Sequence, residues 1–138
     1  MKKIIFMAAL TIAAALTFNI CSANTYDDDP NYIYVVTANG GTHYLNLRTI
    51  DVIKYRPPQY QIAGNFVHVS PQADGTEQTG SRYVMLLFDW DTKEIFHKDT
   101  YGNWEKSNVE GDTTNATVNR KFADALFRAA FKMDFFGY

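Results

Sequence analysis

The hydrophobic and polar positions of this chain predict a series of β-strands followed by a single helix. The most apolar run outside the N-terminus, residues 83–88, is rich in aromatic and branched side chains. Such a run is typical of a strand covered on both faces, in the middle of a small antiparallel sheet. A polar tip at residues 91–93 joins it to a second strand, so residues 82–99 predict a hairpin.

Two further strand regions precede this hairpin. Residues 32–37 are rich in aromatic and β-branched side chains and predict a first strand, and residues 42–47 predict a second strand. The two flank an Asn-Gly-Gly turn at residues 39–41, where positive φ angles are tolerated. Residues 48–54 are less regular and are consistent with a turn and a short strand. Two prolines then interrupt regular structure, because proline cannot donate to a strand ladder.

The third long strand is predicted at residues 59–69, where Gly64 indicates a bulge or a sharp bend. Residues 70–81 have no long apolar side chain and predict an exposed, mobile loop. Residues 104–109 predict a last edge strand. One face of the third strand is predicted to carry Tyr60, Ile62, Phe66 and His68.

A helix is predicted at residues 118–133, with Thr117 or Asn119 as its N-cap and an Asp124–Arg128 pair on its exposed side. We therefore expect one α+β domain over residues 32–138, a twisted antiparallel sheet of about six strands packed by this C-terminal helix. Phe127 and Phe131 are predicted to widen an apolar stripe that packs on the sheet and comprises Phe122, Leu126, Ala129, Ala130 and Met133.

The N-terminus has the features of an export signal. Lys2 and Lys3 precede the apolar residues 4–16, and Ala23 ends a small-residue cleavage site. We predict a cleaved signal peptide over residues 1–23, with an uncleaved membrane anchor as the alternative. Cleavage would leave no membrane span, and it would place the protein in the periplasm, on the cell surface or outside the cell.

Two other N-terminal features bear on this prediction. Cys21 suggests a lipoprotein, but Ile20 and Phe18 before it match that signal poorly, so we favour ordinary cleavage. Residues 24–31, which hold three consecutive aspartates and Pro30, predict a flexible lead-in.

Composition narrows the possible partners. The chain has thirteen basic and fifteen acidic residues, and loss of Lys2 and Lys3 leaves eleven basic residues and a net charge of −4. Nucleic acid and anionic lipid require a cationic surface, so neither is expected as the main partner. The predicted mature chain has no cysteine, and its stability must come from an aromatic-rich core.

Candidate catalytic residues are few. His43, His68 and His97 lie in separate predicted strands, where a three-histidine metal site is geometrically possible but surface or hydrogen-bonded histidines are more common. Asp89 and Asp91 suggest either an acid–base pair or turn-forming residues, and we favour the turn. The sequence has no nucleophile elbow and no phosphate loop. We predict no catalytic residue, metal or cofactor.

Aromatic residues near turns and strand ends are the better functional lead. Tyrosine and tryptophan at exposed positions are favoured in protein interfaces. The alternative is that they cap an aromatic-rich core. The predicted binding patch comprises Tyr55, Tyr60, Tyr101 and Trp104.

The order of motifs resembles the surface-adhesin protein E-like family of small exported bacterial proteins. The similar motifs are Tyr-Ile-Tyr-Val-Val, Thr-His-Tyr-Leu-Asn-Leu, Phe-Val-His-Val and Phe-Ala-Asp-Ala-Leu-Phe-Arg-Ala-Ala-Phe, spread over residues 32–131. Some members bind host extracellular-matrix or plasma proteins. The resemblance therefore implies an adhesin-like activity, without a motif that carries it.

The chain departs from this family at two positions. Members often carry cysteines that are thought to tie the helix to the sheet, and this chain has Trp90 and Phe131 there. The resemblance then implies that a hydrophobic contact replaces the disulfide. We predict that Trp90 packs against the helix near Phe127 or Phe131.

These observations favour an exported, non-enzymatic binding protein of the bacterial cell envelope or surface, with a protein ligand. The alternative is a structural or accessory periplasmic protein, a homodimer through an exposed sheet edge. A metal-dependent hydrolase that uses Asp89, Asp91 or the histidines is the third hypothesis.

Overall fold

The computed structural model describes residues 26–137, so the predicted signal peptide and Cys21 lie outside the described residues. Six antiparallel strands form one sheet in chain order, and one helix follows them, which confirms the predicted α+β class. The elements are β1 (Tyr32–Ala38), β2 (Gly41–Arg56), β3 (Gln59–Pro71), β4 (Glu77–Asp89), β5 (Glu94–Lys98), β6 (Trp104–Lys106) and α1 (Thr114–Phe131).

β2 is longer than the sequence indicated, because it continues to Arg56 through an irregular stretch. Between Asn46 and Asp51, four residues of β2 lie opposite the single residue Gly64 of β3. The irregularity expected at Gly64 is therefore a bulge in the neighbouring strand. A Cβ at Gly64 would lie 3.2 Å from Cδ2 of Leu126, so the glycine lets the helix approach the sheet closely.

The prediction of a loop at residues 70–81 is wrong, because most of this segment forms a β-hairpin. β3 and β4 pair without interruption out to Pro71 and Glu77, and Gly75 takes φ 83° in the connecting turn. The hairpin projects into solvent on both faces, so its strands need no apolar residues. Hydrophobic alternation, the signal that reveals a half-buried strand, is therefore absent.

The helix covers one face of the sheet and forms the main core there. Residues 83–88 were expected to be covered on both faces, and this is wrong: Leu86 and Phe88 are buried beneath α1, whereas Tyr83 is 55% exposed on the other face. The sheet residues buried in this core are Val35, Leu45, Ile62, Phe66, Leu86, Phe88 and Ile95.

A smaller apolar cluster lies on the opposite face of the sheet. Tyr26, from the part of the predicted lead-in that is described, packs against Tyr32 with ring centroids 4.5 Å apart. Asp27 accepts a hydrogen bond of 2.7 Å from the Tyr44 hydroxyl. These contacts place residues 26–31 against β1 and β2.

The helix begins four residues earlier than predicted. The predicted caps Thr117 and Asn119 lie inside α1, and Thr113 is the N-cap, whose hydroxyl accepts a hydrogen bond from the Ala116 amide. The helix ends at Phe131, because Lys132 takes a left-handed conformation with φ 61°.

The predicted Asp124–Arg128 pair is also wrong. Arg128 pairs with Asp134 beyond the end of the helix. The Asp124 carboxylate instead accepts hydrogen bonds from the amides of Phe135 (3.0 Å) and Phe136 (3.1 Å). Asp124 thereby holds the C-terminal segment against the core.

Candidate binding groove beneath the helix

The C-terminal half of α1 is sealed to the sheet by aromatic rings. Trp90 stacks on Phe127 with centroids 5.4 Å apart, so the expected contact is present. Phe131 also contacts Phe127, with ring centroids 4.9 Å apart. Phe127 therefore connects the two positions, Trp90 and Phe131, that the resemblance compares with cysteines.

Two residues of this sealed end were missed by the sequence analysis. Phe135 is fully buried and packs edge-on against Trp90. The Lys93 ammonium lies 3.1 Å from the Trp90 ring centre and donates a hydrogen bond to the Phe135 carbonyl oxygen. Partial burial lowers the pKa of Lys93, with the nearby carboxylates of Asp124 and Asp91 opposing that shift.

The predicted aromatic patch divides into two parts. Tyr55 and Tyr60 pair across the end of β2 and β3, with ring centroids 5.4 Å apart. Tyr60 also contacts Phe131 at 5.3 Å, so it belongs partly to the core. Tyr55 remains 67% exposed although it also contacts Phe131, at 5.8 Å. We call Tyr55, Tyr60 and Phe131 the Tyr55 cluster.

The second part lies at the turn between β5 and β6. Tyr101 is 90% exposed and Trp104 is 37% exposed, with the Lys98 ammonium 5.4 Å from the Trp104 ring centre. β4 lies between this turn and the Tyr55 cluster in the sheet. Tyr101 and Trp104 therefore do not extend the surface that Tyr55 begins.

The N-terminal half of α1 leaves an open groove above the same sheet. Its first lobe has a volume of about 370 Å³, and its second lobe has a volume of about 280 Å³. The two lobes share three lining residues, His43, Arg82 and Phe122, so we treat them as one groove. The polar side chains that line the first lobe include Asn39, Arg82, His97, Ser107, Asn115 and Asn119.

The three histidines converge on this groove without forming a metal site. His43 lies opposite His68 on β3, and their rings stack with centroids 4.5 Å apart. His43 and His97 line the first lobe, and His68 lines the second lobe. Within residues 26–137, no three histidine, cysteine or acidic side chains are grouped to hold a metal ion.

Each of these histidines is held differently. Burial lowers the pKa of His43, and the neighbouring His68 lowers it further, so the His43 ring is disfavoured as a cation. His97 Nδ1 lies 2.8 Å from the buried Ser107 hydroxyl, and its Nε2 lies 3.9 Å from the Glu105 carboxylate. The Ser107 contact fixes the ring of His97 at the wall of the groove.

Asp89 and Asp91 were predicted either to form an acid–base pair or to form a turn, and the structure places both residues at a turn. The Asp89 carboxylate accepts hydrogen bonds from the amides of Asp91 (3.2 Å) and Thr92 (3.1 Å). This is the arrangement that the turn interpretation predicts. Asp91 is exposed in the same turn.

Arg82 lines the groove but is absent from the candidate residues predicted from the sequence. The alternation of residues along β4 indicates which face of the sheet it occupies. Its position has the same parity as Val84, Leu86 and Phe88, so the alternation places a cation on the helix-covered face. Its guanidinium makes no hydrogen bond or ion pair with any residue between 26 and 137. The side chain is exposed to solvent, so its guanidinium is accessible to a ligand in the groove.

A scan against protein-family models and searches of curated proteins and solved structures found no match. In the described part of the chain, no helix combines the length and the apolar character that are needed to cross a membrane.

Proposed function

We propose that this chain is an exported, non-enzymatic binding protein of the bacterial cell envelope or surface, and that it recognises a protein ligand through the Tyr55 cluster. The proposal depends on one observation, the exposure of Tyr55 combined with its contacts to other aromatic rings. Its ring is 67% exposed, yet it contacts both Tyr60 and Phe131. An exposed aromatic side chain that is already held in place loses little conformational entropy on binding.

The surroundings of Tyr55 support a protein contact. Pro57 and Pro58 form the exposed turn beside it, and Arg56 is exposed next to it. Tyrosine and arginine are enriched among residues that dominate the binding energy of protein interfaces. The adhesin-like resemblance points to host extracellular-matrix or plasma proteins as the first candidates for the ligand.

A direct test measures binding of the purified protein to a panel of immobilised extracellular-matrix and plasma proteins by biolayer interferometry. We expect saturable binding to at least one of them, and Tyr55→Ser should weaken it at least about 30-fold, as expected for a dominant interface residue.

Tyr101→Ser is the matched control, because Tyr101 is even more exposed but lies beyond β4 at the opposite side of the sheet. It should leave the affinity unchanged. If both variants bind like the unmodified protein, the ligand surface lies elsewhere. Failure of the unmodified protein to bind any member of the panel would count against the adhesin-like proposal.

Export is tested separately by N-terminal sequencing of the protein recovered from the periplasm or the culture medium. Cleavage after Ala23 predicts that the mature chain begins at Asn24. A lipid-modified chain that begins at Cys21 would contradict cleavage after Ala23, and a chain that retains Met1 in the cytoplasm would contradict export.

The second candidate is a structural or accessory periplasmic protein that forms a homodimer. It is favoured by the outer edge of β2, because β1 pairs only with the first part of that strand. Among residues 26–137, no strand pairs with the outer edge of residues 48–56, where Val52 and Ile53 are exposed. An unpaired edge with apolar side chains is suited to strand pairing between chains.

Size-exclusion chromatography with light scattering distinguishes this candidate. A homodimer through β2 should become a monomer in Ile53→Lys, because lysine on an edge strand opposes strand pairing. A protein that is monomeric before substitution rules out this candidate and leaves the first one standing.

A further inference from the structure

The groove beneath α1 is independent of the Tyr55 cluster, and its two lobes differ in chemistry. The first lobe has a polar rim above an apolar floor formed by Val84, Leu86 and Ile95. The second lobe lies beside Phe66 and Phe122, whose rings stack with centroids 4.3 Å apart and planes 4° apart. A ligand that fits both lobes therefore needs a polar part and an apolar part.

The charge of the groove differs from that of the whole protein. The full sequence has a net charge of −2, but neither lobe is lined by an aspartate or a glutamate. Arg82 contributes a permanent positive charge to both lobes, and its guanidinium has no protein partner among residues 26–137. Arginine binds planar carboxylates and phosphates with paired hydrogen bonds.

The polar rim adds donors on the side of the groove next to the helix. Asn115 lies in the first turn of α1, where the helix dipole favours negative charge. Asn119 is held by a hydrogen bond of 2.8 Å from its side-chain amide to the Asn108 carbonyl oxygen. Glu105, the nearest carboxylate to His97, is outside the lining of both lobes.

The second lobe has room for an apolar group because of Gly80. This residue lies opposite His68 on the helix-covered face, and a Cβ built on it would meet nothing within 4 Å. The first lobe alone falls within the range of about 300–1,000 Å³ that is typical of small-molecule sites.

We propose that the groove binds a small amphipathic organic anion, with its carboxylate on the guanidinium of Arg82 and its apolar body against Phe66 and Phe122 above Gly80. The site lies beneath the N-terminal half of α1, whereas the Tyr55 cluster lies at the C-terminal end of the helix. The protein can therefore carry a small ligand and a protein partner on separate surfaces.

Octanoate is the probe. Acetate, which has the carboxylate without the long chain, and octanol, which has the chain without the charge, are the two comparison ligands. Isothermal titration of the purified protein should show saturable binding of octanoate, and binding of acetate or octanol at least about tenfold weaker. Equal affinity for octanoate and octanol would mean that the groove does not recognise the anion. Absence of saturable octanoate binding would also overturn the proposal.

Arg82→Gln tests the head-group contact. It should weaken octanoate binding about tenfold or more, because a hydrogen bond to a charged group is lost. Arg56→Gln is the matched control, since Arg56 is an exposed arginine at the distant turn between β2 and β3. Equal affinity of the two variants would show that Arg82 is not the anion contact.

Gly80→Leu tests the apolar part of the site. The added side chain should fill the second lobe and weaken octanoate binding while leaving acetate binding unchanged. Thr79→Leu is the control, because Thr79 pairs with Val69 on the opposite face of the sheet. Unchanged octanoate affinity in a folded Gly80→Leu variant would overturn the placement of the apolar body.

A final arm distinguishes a free anion from a lipid headgroup. Vesicles of phosphatidylglycerol should not retain the protein at physiological salt, because the groove offers one arginine and the protein as a whole is acidic. Retention on these vesicles without octanoate binding would replace the proposed soluble ligand with a membrane surface.

Discussion

The two halves of α1 cover the same face of the same sheet with opposite results. The C-terminal half is sealed, because the large rings of Trp90, Phe127 and Phe135 fill the space between helix and strands. The N-terminal half leaves a groove, because smaller or polar side chains such as Val118 and Asn115 face His43 and Arg82 there.

The difference shows how one fold combines a tightly packed core with an open groove. An apolar cavity of this size would cost free energy, since the atoms that line it lack packing partners. A groove lined by histidine, asparagine and arginine is open to water, which can hydrate those groups. The aromatic end of the molecule therefore stabilises the domain, and the polar end is available for a ligand.

The largest expected effect is a loss of stability on substitution at the sealed C-terminal half of α1, compared with the open N-terminal half. Phe127→Ala removes a fully buried ring that contacts Trp90 and Phe131, and it should lower the free energy of unfolding by about 3–5 kcal/mol. Val118→Ala, on the same helix at the groove, should cost about 1 kcal/mol. Urea denaturation measures both, and similar losses would mean that the two ends do not differ in packing.

A smaller effect is expected from Gly41→Ala at the open end. A Cβ on Gly41 would lie 2.0 Å from Nε2 of His68 and 2.8 Å from the Val69 carbonyl oxygen. The His68 ring must move, and we expect a loss of about 1–3 kcal/mol together with changed NMR shifts of the His43 ring. Gly80→Ala is the control, with open space around its Cβ and no loss of stability. A fully stable Gly41→Ala variant would show that the histidine stack is loosely held.

The smallest effect is a dependence of stability on pH that involves His43. Burial lowers the pKa of this residue in the folded protein from its ordinary value of 6.5. As pH falls through about 6.5, the unfolded chain therefore takes up a proton before the folded protein does, and the free energy of unfolding decreases. His43→Phe keeps a ring beside Phe122 but cannot titrate. Urea denaturation at several pH values measures this dependence. Between pH 7.5 and 5, the free energy of unfolding should decrease less for this variant than for the unmodified protein, and an equal decrease would argue against the role of His43.

Several features of the fold could be predicted from neighbouring residues in the sequence. The Asn39–Gly40 turn takes the positive φ angles that its residues favour. The alternation along β3 places Tyr60, Ile62 and Phe66 on the helix-covered face, as expected. The family resemblance, rather than this alternation, predicts that Trp90 packs near the helix, where it contacts Phe127.

Other features of the fold could not be predicted from the sequence, because they produce no periodic pattern of apolar residues. The hairpin within residues 70–81 has polar residues on both faces, so its sequence predicts a loop although the structure has paired strands there. Phe135 lies beyond the helix and reaches the core only because Asp124 binds the amides of Phe135 and Phe136. The single predicted aromatic patch became two surfaces because the strand order places β4 between Tyr55 and Tyr101.

The sequence by itself determined the α+β class and the face that β3 turns toward the helix, because each follows from the period of a local element. Only the tertiary structure decided that one end of α1 is sealed and the other is open. That outcome depends on the combined volumes and polarities of side chains from β2, β4, β5 and α1, such as His43, Arg82, His97 and Asn115. No local pattern reports how side chains from distant segments fill the space between them.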